Sequence, residues 1–327
     1  MTDSALLIGT IVQELAQRRG VSVSDLLAAM DRTDVTDAGE IDPSVPLLKA
    51  WSKDDKEAIR RMPKEHLRYL VDMYYTQQEY RKRAAGQVRA SDESDEPNLV
   101  LEMVQDGFAN LETRVKQALA VYVETDPAAR WLSAQVGIGP VIAAGLLAHI
   151  DIAQAPNVGH IWNYAGLNPD IVWEKGQKRP WNAKLKTLSW HAGECFVKTS
   201  GRPNAFYGPL YARRKEYETA RNERGGNAER AAQILTVKRF GDDTQAKGHL
   251  LTGKLPPAHI HAMAKRWTVK LFLSHLHEVM FFSSYGTMPP KSFAIERRFH
   301  STYIAPPLSH LIPGLEAAQK ALYAQAA

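Results

Sequence analysis

The sequence predicts a mainly α-helical protein. Apolar residues recur at helical spacing through most of the chain, strand-like alternation is nearly absent, and a glycine-proline turn joins two helices near the middle. The chain has 327 residues, of which 44% are hydrophobic, so it can form two or three domains with sizeable cores. We expect three regions, with boundaries at 1–50, 51–130 and 131–327.

The first region predicts a small helical element followed by a linker. Residues 4–30 contain two short helical patterns on either side of a turn near Gly20. They form either a small helix-turn-helix or, as we favour, a docking or dimerisation element. Residues 31–47 are rich in Asp, Thr and Pro, which is typical of a linker.

The second region predicts an antiparallel coiled-coil arm. Residues 53–87 form one long helix with Pro63 near its start, and residues 98–124 form a second, after an acidic turn at 90–97. Each helix has an apolar stripe that must be buried. We therefore expect a homodimer through residues 57–124.

The third region begins with a hairpin at residues 136–169, which predicts a helix, a Gly-Ile-Gly-Pro turn, a helix of small residues and a closing loop. Both Gly137 and Gly139 can adopt positive φ, and Pro140 suits the first helical position. The next helix would then present free N–H groups, from Val141 onward, to a phosphate. A packed αα-hairpin without a ligand is the alternative.

The rest of the third region alternates between exposed and buried helices. Residues 203–240 predict basic, exposed helices broken at Gly225-Gly226, and residues 258–285 predict a strongly apolar helix. A polar loop at 241–257 separates them, and the tail at 286–327 is Pro-rich and then helical.

Positive charge is concentrated after the hairpin. Residues 173–239 carry fifteen Lys and Arg against six Glu, whereas residues 1–56 carry six basic against ten acidic residues. The formal net charge of the whole chain is only +5. Such a block favours a polyanionic partner, with a solvated charged face as the alternative.

Tryptophans alternate with these cations between Trp162 and Trp190. This pattern is typical of single-stranded RNA recognition, in which bases stack on rings and phosphates meet charge. We expect about half of these rings to lie in the core, and Trp173 and Trp181 to be exposed beside the basic turn Lys175–Arg179. The predicted nucleic-acid-binding residues are Gly137, Gly139, Val141, Trp173, Lys175, Lys178, Arg179, Trp181, Asn182, Lys184, Lys186, Lys198, Arg202, Arg213, Arg214, Lys215, Arg221, Lys265 and Arg266.

The histidines do not predict a metal or catalytic site. His259 and His261, like His275 and His277, are two residues apart. On a helix this spacing separates the partners by about 200°, so neither pair can chelate one ion. Packing or RNA contact is the more natural role for them.

The composition predicts a cytoplasmic protein. Cys195 is the only cysteine, so no disulfide can form within the chain. No basic segment precedes the short apolar stretch near the N-terminus, which argues against a signal peptide. No run approaches the ~20 apolar residues that a membrane span needs.

The motifs around the hairpin occur in an order that resembles known nucleic-acid-binding families. Val136–Pro140, Ala143–Ala148, Ala165–Pro169, Gly176 and Asn182–Lys186 follow one another. Over roughly residues 130–200 this order resembles the C-terminal domain of insertion-sequence transposases guided by a bridge RNA. The arm and hairpin together are similar to the Nop domain of box C/D ribonucleoproteins. The whole layout most resembles the Tas proteins of tandem interspaced guide RNA systems, which pair a Nop-like domain with a short guide RNA.

Two departures from the transposases bear on activity. Those enzymes carry a serine before a glycine downstream of the Gly-Leu-x-Pro stretch, whereas this chain has Glu174-Lys175-Gly176 there. A lysine cannot act as the hydroxyl nucleophile of strand transfer. Residues 1–130 contain no strand with an acidic tip for a RuvC-like metal site, and the histidines lack HNH spacing.

The resemblance implies a coiled-coil arm followed by a Nop-like helix-hairpin-helix domain over 131–327, with a basic helical insert and C-terminal helices. Such a protein would carry a short guide RNA and target DNA by base pairing, without nuclease activity of its own. Its expected partners are the guide RNA, the target DNA and a second copy, but no membrane. No cofactor is expected, apart from structural Mg²⁺ carried by the RNA. The alternatives are a transposase-derived helix-hairpin-helix DNA-binding protein without a guide, and an active transposase or recombinase.

Overall fold

The computed structural model describes residues 50–92, 99–241, 243–290 and 303–324, together with Gln17 and Ser22. Within these residues the protein is mainly helical and has no β-strand, as the sequence predicts. The chain divides into two units, Met1–Lys49 and Ala50–Ala327. Apart from Gln17 and Ser22, the N-terminal helices and linker that the sequence predicts lie outside the described residues.

The described part of the chain contains twelve α-helices and two short 3₁₀ turns, at Ile152–Gln154 and Ser309–Leu311. In chain order the α-helices are α1 (Lys53–Arg60), α2 (Lys64–Asp92), α3 (Leu99–Val123), α4 (Pro127–Ser133), α5 (Pro140–His149), α6 (Val158–Tyr164), α7 (Ala183–Lys198), α8 (Tyr207–Glu223), α9 (Ala228–Val237), α10 (Gln245–Leu251), α11 (Pro257–Tyr285) and α12 (Leu315–Ala324).

The first long helix predicted at 53–87 is in fact two helices. Helix α1 starts at a capping box between Ser52 and Asp55 and ends at Arg60. Proline disfavours helical geometry in the residue before it, so Pro63 separates α1 from α2. Helix α2 then runs on to Asp92, past the predicted end.

Helices α2 and α3 pack against each other in antiparallel directions. Burial raises the pKa of the Tyr122 phenol, near the end of α3, and the charges of Asp126 and of Glu65, which is near the start of α2, raise it further. Further along, the Arg81 Nε donates to Glu112 Oε2 at 2.5 Å. The second long helix predicted at 98–124 is confirmed as α3.

The core forms around two apolar helices, α5 and α11. Every residue of α5 from Val141 to His149 is buried, as expected of a helix that is apolar on all sides. Helix α11 packs against α4, α6, α7 and α8, and its Phe272 lies 5.1 Å from the ring of Phe196 and 5.2 Å from that of Tyr207. No helix in the described part of the chain is long and apolar enough to cross a membrane.

The C-terminal half follows the predicted pattern with one correction. The break at Gly225 is confirmed, with φ at +79°, and the apolar helix predicted at 258–285 is α11. The polar loop predicted at 241–257 is wrong in part, because α10 lies within it. Leu250 of α10 is buried in a small second core with Leu255, and this packing outweighs the polar composition.

Candidate nucleic-acid interface

The glycine-proline turn at residues 137–140 is closed on one side and open on the other. Gly137 has φ +98°, and a Cβ there would lie 3.2 Å from the Cβ of Cys195. Gly139 is the N-cap of α5, and no atom of the described residues lies within 4 Å of a Cβ position on it. Its φ is −89°, so the predicted positive φ is confirmed for Gly137 and wrong for Gly139. Pro140 is the first residue of α5, as predicted.

The free N–H groups at the start of α5 are less accessible than the sequence implies. The side chain of Val141 packs into the core, and the residue is only 7% exposed. Only backbone atoms near Gly139 therefore remain for contact with a phosphate.

The basic turn predicted at Lys175–Arg179 is held by Trp173. The indole N–H of Trp173 donates to the carbonyl of Gln177 at 2.8 Å, and the Arg179 guanidinium lies over the Trp173 ring, 5.3 Å from its centre. Trp173 and Trp181 are half-buried and meet edge to face at 6.5 Å. The turn thus exposes its cations while the Trp173 ring packs against it.

Two of the predicted binding residues have structural partners in the folded chain. The Asn182 side chain accepts from the Leu185 N–H at 2.9 Å as the N-cap of α7, and its amide donates to the Tyr164 hydroxyl at 2.9 Å. The Lys184 ammonium lies 2.9 Å from Asp72 on α2. These side chains connect elements of the fold.

A cleft of about 510 Å³ lies between the loop after α6 and helices α7, α9 and α11. Gly166, with φ +62°, lets this loop approach Trp181, since a Cβ at Gly166 would lie 2.9 Å from the Trp181 ring. The cleft is lined by positive charge, indole rings and one hydroxyl, and we call it the cationic cleft. Its side chains of interest are Trp181, Lys186, Ser189, Trp190, Arg230 and Arg266.

The cations of the cationic cleft crowd one another. Burial lowers the pKa of Lys186, and the charges of Arg179 and Arg266 lower it further. Burial also lowers the pKa of Arg266, with Arg230 as the second cause. Among the described residues, no ion pair involves Lys186, Arg230 or Arg266. The cluster is therefore an excess of positive charge that an anion would relieve.

Other predicted cations are neutralised within the protein. Arg214 and Arg221 flank the buried carboxylate of Glu218, at 2.5 and 3.8 Å. Lys265 donates to Glu194, and this bond lowers the pKa of the carboxyl group. These three basic residues are poor candidates for phosphate contacts, because their charge already has a partner.

The remaining predicted cations are exposed and lie outside the cleft. None of them takes part in an ion pair within the described ranges. They lie on the turn after Trp173, at the end of α7 and along α8, and they are Lys175, Lys178, Lys198, Arg202, Arg213 and Lys215.

Sequence reasoning missed three residues of the cationic cleft. Trp190 is 52% exposed, which is more than any other tryptophan between residues 162 and 190. The sequence predicts instead that Trp173 and Trp181 are the exposed rings. Arg230 reaches the cleft from α9, and Ser189 lines it from α7. The sequence holds a signal for two of them, because Ser189 and Trp190 lie three and four residues after Lys186 and therefore share a helix face with it.

The histidines of α11 serve packing. The Nε2–H of His275 donates to the Ile304 carbonyl at 2.7 Å, so its Nδ1 accepts from the Tyr207 hydroxyl at 2.8 Å. The Nε2–H of His277 donates to the Ala155 carbonyl at 2.8 Å. In the described ranges, no group of three or more His, Cys, Asp or Glu residues could hold a metal ion.

Comparison with protein-family models, curated proteins and solved structures found no match to this chain. Function is therefore inferred from the residues of the interface.

Proposed function

We propose that this protein binds a single-stranded RNA through the cationic cleft and the basic turn, and uses that RNA as a guide to find DNA. The observation that carries the proposal is the cluster of Lys186, Arg230 and Arg266, which has no acidic partner within the described residues. Crowded cations raise the free energy of the folded state, and a bound polyanion offsets that cost. An RNA backbone supplies such an anion.

The aromatic residues favour a single strand over a duplex. Trp190 exposes just over half of its surface beside the cations of the cleft, and Trp173 supports the neighbouring basic turn. Unpaired bases can stack on such rings while their phosphates meet Lys and Arg, whereas the bases of a duplex are already stacked. The resemblance to guide-carrying Tas proteins points the same way.

Specificity for DNA would come from base pairing with the guide, and the protein would contribute shape and charge. We propose no cleavage step, because Lys175 occupies the place of the transposase serine. Incubating the protein with Mg²⁺, its own RNA and a matched DNA duplex tests this part. A cut or joined DNA product would contradict it and favour a recombinase.

The direct test is to sequence the RNA that remains bound when the protein is purified from its native host. We expect a discrete short RNA that RNase removes. The double variant Lys186→Gln/Arg266→Gln should lose most of this RNA. The matched double variant Lys116→Gln/Arg130→Gln removes two exposed charges outside the interface and should keep it. Purification of the wild-type protein free of RNA, with no affinity for RNA oligonucleotides, would refute the proposal.

A second candidate function is DNA binding without a guide. It is favoured by the uncovered backbone at Gly139, before α5, where no atom of the described residues lies within 4 Å of a Cβ position. Helix-hairpin-helix modules hold a DNA backbone with such N–H groups. Binding of duplex DNA by RNase-treated protein at unchanged affinity would favour this alternative.

We further propose that α2 and α3 form a coiled-coil arm that pairs with a second copy. Each helix exposes an apolar row, with Tyr69 and Met73 on α2 and Val100 and Met103 on α3. Tyr69 is 72% exposed and Met103 is 70% exposed, and rows of this kind commonly mark association surfaces.

A further inference from the structure

The cationic cleft combines features that suit one nucleotide better than a continuous backbone. It is enclosed by four segments of the chain, namely the loop at 166–171 and helices α7, α9 and α11. Its volume of about 510 Å³ falls within the range of small-ligand pockets. A duplex cannot enter a space of this size, but a single nucleotide turned out of its strand can.

One part of the cleft is suited to a phosphate. Lys186, Arg230 and Arg266 converge there from α7, α9 and α11. Arg266 is close to both of the other cations, since its charge lowers the pKa of Lys186 and the charge of Arg230 lowers the pKa of Arg266. Arginine and lysine donors are the side chains that proteins use to hold phosphate oxygens.

A second and independent observation comes from Ser189. This residue lines the cleft and is only 1% exposed, yet its hydroxyl has no hydrogen-bond partner among the residues that the structure describes. A buried hydroxyl without a partner is costly, and a bound polar group would remove that cost. Lys186, Ser189 and Trp190 share one face of α7, so this hydroxyl lies on the same helix face as a cation and an indole ring.

The indole of Trp190 completes the arrangement. The ring lines the cleft with 52% of the residue exposed, and Lys265 lies over it at 5.3 Å from the ring centre. A nucleobase has a flat face that stacks on such a ring regardless of its identity.

We propose that the cationic cleft holds one nucleotide of the bound RNA, with its phosphate on Lys186, Arg230 and Arg266 and its base stacked on Trp190. This inference rests on the proposed function, because it places a nucleotide of the same RNA strand. It adds a defined site at which one base leaves the stack of its neighbours.

The test uses adenosine monophosphate, adenosine and inorganic phosphate as separate probes in titration calorimetry with RNA-free full-length protein. We expect one monophosphate per chain, bound about tenfold more tightly than adenosine or phosphate. Arg266→Gln should weaken monophosphate binding about tenfold, because one charge-assisted contact is lost. Arg130→Gln removes an equal charge elsewhere and should change nothing. Trp190→Leu should weaken binding and Trp190→Phe should largely restore it, with thermal unfolding showing that each variant is folded.

A competition experiment then connects the pocket to the strand. At about ten times its wild-type Kd, adenosine monophosphate should weaken the binding of a labelled oligoadenylate RNA about tenfold for the wild-type protein and only about twofold for Arg266→Gln. If the RNA binds but the monophosphate does not, the nucleotide pocket is refuted and the proposed function stands. Monophosphate binding that leaves RNA affinity unchanged also refutes it, because the site then lies off the strand. If no RNA binds at all, the proposed function fails first.

Discussion

Replacing Arg266 by Gln should stabilise the RNA-free protein while it weakens RNA binding. Arg266 faces two other cations, Lys186 and Arg230, and no ion pair in the described ranges involves any of the three. A like-charge pair near the surface costs roughly 0.2–0.5 kcal/mol. Removal of two such pairs should therefore raise the free energy of unfolding by about 0.4–1 kcal/mol.

Urea denaturation at low salt and at 1 M NaCl measures this effect. The gain should nearly disappear at 1 M NaCl, where the screening length is about 3 Å. Arg266→Lys keeps the charge and should have the wild-type stability, and Arg130→Gln should show no gain. A free energy of unfolding that falls at low salt, or a gain that persists unchanged at 1 M NaCl, would refute the idea of a repulsive cluster.

Three further predictions concern the turn, the core and the arm. Gly137→Ala should destabilise the protein by about 1–3 kcal/mol, because φ is +98° and Cys195 is close. Gly139→Leu should weaken nucleic-acid binding and cost only about 1 kcal/mol in urea denaturation, because leucine is a poorer N-cap residue than glycine. Burial lowers the pKa of His275 to about 4. The stabilisation that the neutral imidazole provides should therefore be complete above pH 6.5, and the free energy of unfolding should fall by about 3 kcal/mol as the pH drops to 4. His275→Gln should flatten that slope in pH-dependent denaturation, and an equal slope would contradict the prediction. Met103→Glu should convert the expected dimer to a monomer in light scattering, and an unchanged mass would exclude this face.

The sequence predicts the helices best where packing enforces a helical period. Helix α11 begins within one residue of its predicted start, because its apolar residues must face four neighbouring helices. The apolar period predicts one helix across Pro63, whereas the structure has two. The helix breaks there because proline disfavours helical geometry in the residue before it. The short helix α10 escapes prediction because Leu250 is its one buried residue, so the segment shows no apolar period.

The candidate site is harder to predict than the helices. Lys186, Arg230 and Arg266 lie far apart in the chain and meet only because α7, α9 and α11 converge. Their lack of an acidic partner depends on that arrangement, and sequence cannot distinguish Arg266 from Lys265, whose partner Glu194 comes from α7. The role of Asn182 could have been anticipated, because Asn directly before a helical pattern is a common N-cap.

The central claim is that Lys186, Arg230 and Arg266 together hold one RNA phosphate, and the salt dependence of RNA affinity tests it most directly. Each phosphate contact contributes about 0.7 to the slope of log affinity against log salt for a single strand. The triple variant Lys186→Gln/Arg230→Gln/Arg266→Gln loses the one phosphate that these cations share, so it should bind a single-stranded RNA with a slope about 0.7 units shallower than wild type. An unchanged slope would mean that these cations do not touch the strand, and the account would be wrong.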